Sequence, residues 1–86
     1  MHSKKIVIQN PTGLHARPAS NLVTLSKRFS SKLQIINGNI TVDPTSILSL
    51  LAGELMPGTH VEVRAEGEDE VKAVNEICEF ICTLEE

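Results

Sequence analysis

The stretch Asn10-Pro11-Thr12-Gly13-Leu14-His15-Ala16-Arg17-Pro18-Ala19 holds the residues best suited to chemistry. An apolar, β-rich run, Ile6-Val7-Ile8, ends in turn residues, and a helical pattern begins just after His15. That order puts His15 at or beside a helix N-terminus. The first N–H groups of a helix have no internal partners, and the helix dipole places partial positive charge there, so such an end attracts phosphate. Pro18 suits an early helical position, where its missing N–H costs nothing, and Gly13 permits a tight bend before it. Arg17 adds a planar donor fork matched to phosphate oxygens. The same positive field disfavours a protonated imidazole, which leaves His15 neutral and nucleophilic near pH 7. The chemistry suggested is a transient phosphohistidine. From spacing alone, a lone histidine in a Gly/Pro turn is more often an ordinary loop residue.

The elements that must present this stretch follow from patterning. Residues 4–9 read as a strand with Ile6 and Ile8 on one face and Val7 on the other; His2 precedes it and is expected to be disordered. Residues 16–28 read as a helix, with Ala19, Leu22, Val23 and Ser26 on one stripe, Phe29 near its end, and Lys27 and Arg28 in its last turn. Those two cations are most simply a solvated helix end. Residues 32–36 and 40–42 flank Asn37-Gly38-Asn39, a hairpin signal, and Asp43-Pro44 ends the pairing because proline has no N–H to give.

Residues 45–51, Thr45-Ser46-Ile47-Leu48-Ser49-Leu50-Leu51, predict a short helix capped by Ser46. It carries more apolar side chains than one side can bury. Ile47 or Leu48 is therefore expected to stay partly exposed as a docking surface beside the histidine, or else to complete the core. Met56-Pro57-Gly58-Thr59 is a turn. His60-Val61-Glu62-Val63-Arg64-Ala65-Glu66 alternates as a half-buried strand, with Val61, Val63 and Ala65 inward and His60 on the polar face. Acidic Gly67-Glu68-Asp69-Glu70 leads into a last helix with Val71, Val74, Ile77, Cys78 and Ile81 as its apolar stripe. The order is βαββαβα, an α+β two-layer domain with helices on one face of a largely antiparallel sheet.

Composition narrows the functions. Eighty-six residues make one small domain spanning positions 1–86, with no repeat or linker, and Phe29 and Phe80 are its only aromatic residues among Phe, Trp and Tyr. A net charge of -3 and the lack of stacking aromatics argue against nucleic acid as a partner. Cys78 and Cys82 lie four apart on a helical pattern, poorly placed for a bridge and without further metal ligands nearby, so reduced structural thiols are expected. Neither a signal peptide nor a membrane span is evident, and a cytoplasmic protein is expected.

PTGLHARPAS closely resembles the active-site segment of the HPr family, the histidine-containing phosphocarriers of the phosphoenolpyruvate-dependent sugar phosphotransferase system. The resemblance covers essentially the whole chain, including residues 41–51 around Ser46 and the GEDEVKAV stretch. It implies an open-faced β-sandwich with a four-stranded antiparallel sheet. It also implies that His15 accepts a phosphoryl group at Nδ1 from phosphorylated enzyme I and passes it to enzyme IIA proteins, with Arg17 as electrostatic partner. Ala16, Ser20, Lys27, Ile47, Leu48 and Leu51 match the partner surface. Ser46 matches a serine modified by HPr kinase/phosphorylase, which adds that kinase and a transcriptional regulator as candidate partners; its competing role is the helix cap.

A monomer that binds no metal or organic cofactor is expected, acting as a carrier rather than a stand-alone enzyme. Thr24 and Ser49 stand where many relatives have lysine, Thr12 where asparagine or serine is frequent, and Pro44-Thr45 departs from the usual lysine before the serine. Two other readings remain open on the residues: a regulatory relative serving a nitrogen or signalling branch, and a small metabolite-binding domain.

Overall fold

The structure, a computed structural model, describes residues 1–11, 13–14 and 16–84. Its elements run β1 (His2–Val7), α1 (Ala16–Ser26), β2 (Lys32–Asn37), β3 (Ile40–Val42), α2 (Ile47–Ala52), β4 (His60–Glu66) and α3 (Glu70–Cys82), the expected βαββαβα order. One sheet is formed, with strand order β1-β4-β2-β3 and every pairing antiparallel. The alternation in β4 decides which face is covered: Val61, Val63 and Ala65 are buried, whereas His60 and Glu66 are exposed. Beside them Ile6, Leu33, Ile35 and Val42 line the same face and meet Ala19 and Leu22 of α1, Leu50 of α2, and Val74, Ile77, Cys78 and Ile81 of α3. Burial of the Val, Leu and Ile side chains among these, each worth about 1.5–3 kcal/mol relative to exposure, supplies the driving force that rings would otherwise share.

Several boundaries differ from expectation. β1 starts at His2, which pairs with Ala65 and is half-buried rather than disordered. Ile8 continues the edge beyond β1, donating to the Thr59 carbonyl at 2.9 Å and accepting from the Gly58 N–H at 2.7 Å. α1 closes at Ser26 because Arg28 and Phe29 donate to carbonyls three residues back, so Lys27 and Arg28 follow the helix rather than occupy its last turn. The hairpin loop is Gly38-Asn39 alone: Asn37 pairs with Ile40, and Gly38 takes φ +59° at the first central position. Val71 is 52% exposed and does not join the α3 stripe. Cys78 is buried, its thiol pushed up to about 11 chiefly by burial, while Cys82 is exposed; both are free.

Asp69, at the start of α3, does not cap its own helix. Its carboxylate instead accepts from the Ser30 N–H (2.9 Å), the Ser31 N–H (3.0 Å) and the Ser31 hydroxyl, which ties α3 to the loop before β2. The Ser31 hydroxyl, then the Ser30 N–H, hold its carboxyl below the usual carboxylate range. A folded pKa depressed in this way contributes stability above the unfolded pKa, near 4, and loses it as pH falls toward the folded value. The melting temperature should therefore drop on acidification below about pH 4 by an increment that is missing in Asp69→Ala, which should be less stable at neutral pH. Parallel acid profiles for the two proteins would contradict this.

Candidate functional site

The loop joining β1 to α1 is shaped by glycine and held by the loop after α2. Gly13 sits at φ +67°, a conformation costly for residues with a Cβ, and its N–H donates to the Asn10 carbonyl at 3.2 Å. A Cβ there would stand 2.5 Å from the Leu55 carbonyl oxygen. The next residue, Leu14, is buried and donates its N–H to that same oxygen at 3.0 Å. α1 then begins at Ala16. His15 and Thr12 lie outside the described residues; His15 falls in sequence between the anchored Leu14 and the first residue of α1.

The start of α1 has the makings of an anion site. Its first turn carries no acidic residue, and Pro18 lies buried within that turn, where no N–H is required of it. Ala16, Arg17 and Ser20 are exposed around the same end. Lys27 is exposed too, but stands about 16 Å farther along at 1.5 Å per residue, beyond the other end of α1.

α2 packs against α1 and carries an exposed apolar patch. Ser46 caps it as expected, accepting from the Ser49 N–H at 3.3 Å. The Ser49 hydroxyl in turn accepts from the Asp43 N–H at 2.8 Å, and Asp43 accepts from the Thr45 N–H at 2.9 Å, so the β3 to α2 connection is tightly knit. Leu50 points into the core, which leaves Ile47, Leu48 and Leu51 at 38%, 77% and 47% exposure. Met56, 60% exposed, is a further exposed apolar residue, close to Gly13, that the sequence patterning did not single out. The signal was the Met56-Pro57-Gly58 turn itself, since a large apolar residue in a surface turn has little chance of burial.

The end of α2 explains an unusual pair. At Gly53 a Cβ would come within 2.5 Å of Val42 Cγ2, so close packing claims the glycine. The left-handed position falls on Glu54 at φ +57°, with the Gly53 and Glu54 carbonyls both accepting from Asn37 Nδ2 (2.9 and 3.3 Å).

A family model described as the PTS HPr component phosphorylation site matches residues 2–83. The chain belongs to the HPr family. The phosphocarrier protein HPr of Haemophilus influenzae is 38% identical over 85 residues, covering 99% of this chain and all of that one. Among solved structures, HPr-C-His from Thermoanaerobacter tengcongensis superposes with a TM-score of 0.91 at 35% identity, covering 96% of this chain and 93% of that one. An HPr dimer from the same organism gives 0.65 at 36% identity, with 92% and 94% covered. HPr is a phosphocarrier component of the phosphotransferase system, and the chain's four-stranded open sheet with helices on one side is the HPr fold.

Proposed function

We propose that this HPr accepts a phosphoryl group on His15 from phosphorylated enzyme I and delivers it to sugar-specific enzyme IIA proteins, acting as a cytoplasmic monomer. The observation that supports the reading is that Leu14, docked on the Leu55 carbonyl oxygen, and Ala16, the first residue of α1, are the sequence neighbours of His15. In-line attack by an imidazole lone pair forms the new nitrogen–phosphorus bond as the bond to the donor breaks. Phosphoryl transfer rests mainly on such positioning and on neutralising charge on the equatorial oxygens. The N-terminal N–H groups of α1 and the Arg17 guanidinium supply that charge. Exposed Ala16, Arg17 and Ser20 leave the end of α1 open to successive partners, as a carrier requires.

Ile47, Leu48 and Leu51 provide apolar contact to those partners, with Arg17 and Lys27 steering acidic ones. Ser46 adjoins that patch and is proposed as a second phosphorylation site. A phosphoserine adds about -1.5 to -2 charge, placed beside Ile47 and Leu48 where it opposes docking of an acidic partner. The reading is tested by incubating the protein with enzyme I, phosphoenolpyruvate and an enzyme IIA. Label is expected to pass through this chain to the IIA protein, more slowly after treatment with HPr kinase/phosphorylase, and the kinase effect is expected to vanish in Ser46→Ala. A chain that retains its phosphoryl group before every IIA protein would refute the relay, and a Ser46 left unmodified by the source organism's kinase would refute the regulation.

A further inference from the structure

Asn10 lies after β1 and before α1, in a turn, yet its residue is 1% exposed. A primary amide is unfavourable in such a place unless it is hydrogen-bonded. Its Nδ2 donates to the Gly13 carbonyl, while its own backbone carbonyl accepts from the Gly13 N–H. Two bonds of opposite sense thus join the same two residues and close the turn. The next residue, Leu14, donates its N–H to the Leu55 carbonyl oxygen at 3.0 Å, and Gly13 lies close enough to the same oxygen that a Cβ would collide with it. The backbone that leads into residue 15 is fixed by Leu55 from one side and by Asn10 from the other.

We propose that Asn10 is a positioning residue for phosphoryl transfer, an inference that rests on the carrier reading of His15. The Asn10 side chain acts through Gly13 and touches neither donor nor phosphoryl group. Without its amide donor the Gly13 carbonyl loses a partner inside a buried turn, and the turn gains freedom. Residue 15 is then presented for in-line attack a smaller fraction of the time. Ile47, Leu48 and Leu51 belong to α2 and keep their exposure, so encounter with enzyme I is unchanged and the loss falls on the transfer step.

The experiment compares Asn10→Asp, which keeps the shape but removes the donor, and Asn10→Ala with the wild type, using enzyme I charged by phosphoenolpyruvate. The expected result is a fall in kcat of roughly tenfold or more at temperatures where each variant is folded, as misplacement of reacting groups produces. KM should stay within about twofold, the pattern of an interaction that acts on the transfer step rather than on binding. Unchanged kcat in both variants, or a change in KM alone, would overturn the role of Asn10. If neither variant folds, the wild type decides: its Asn10 side-chain amide protons should be protected from exchange, and exchange at the open-chain rate would overturn the proposal. A wild type that takes no label from active enzyme I overturns the carrier reading and this role with it, whereas normal labelling with unchanged variants removes only Asn10.

Discussion

Gly13→Ala is expected to damage stability and phosphoryl transfer together. At φ +67° a side chain is strained, and the new Cβ would stand 2.5 Å from the Leu55 carbonyl oxygen, a backbone atom that cannot turn aside. The strain costs roughly 1–2 kcal/mol and the overpacking about as much again. For a domain of this size that lowers the melting temperature by on the order of 10 °C or more. Relief requires Gly13 and Leu14 to lift off Leu55, and that movement carries residue 15 with it. Phosphorylation by enzyme I, measured well below the new melting temperature, should fall roughly ten- to a hundredfold. A variant that melts and reacts like the wild type would show that the loop has no need of the Leu55 contact.

Leu48→Asp separates docking from folding. Leu48 is 77% exposed, so its replacement removes little buried surface and should change stability by no more than about 0.5 kcal/mol. The same side chain is the most prominent part of the α2 patch, flanked by Ile47 and Leu51. A carboxylate there loses apolar contact and repels an acidic partner, so KM for enzyme I should rise about tenfold or more while kcat at saturation is nearly kept. A wild-type KM would place the docking surface elsewhere. A large fall in melting temperature would mean that Leu48 serves the core.

Much of this was legible in the sequence because the signals are local. The period-two alternation of residues 60–66 states which face of β4 is buried, and the burial follows it. Ser46 announces a cap through its position before a short apolar run, and it accepts the expected N–H. The excess of aliphatic residues in residues 47–51 left exposure of Ile47 or Leu48 and completion of the core both open; the structure exposes Ile47, Leu48 and also Leu51, since one face of a six-residue helix cannot bury them all.

What was illegible depends on partners distant in the chain. Asp69 looks like an N-terminal acidic residue of α3, but its hydrogen bonds go to Ser30 and Ser31, some forty residues earlier in a strand-entry loop. Leu14 docks on Leu55, a contact no periodicity encodes. The pairing of His2 with Ala65 and the β1-β4-β2-β3 order both rest on contacts between strands far apart in the chain. Asn10 reads as a turn former, and only packing shows that its amide is buried and bound to Gly13. Glu54 takes the left-handed position although the glycine stands one residue earlier, where Val42 leaves no room for a Cβ.

The central claim is that His15 carries the phosphoryl group, and intact-mass measurement after incubation with phosphoenolpyruvate and enzyme I tests it most directly. One acid-labile phosphoryl group is expected on the wild type and none on a folded His15→Ala. Equal labelling of both proteins, or none on the wild type while enzyme I itself becomes phosphorylated, would contradict the account.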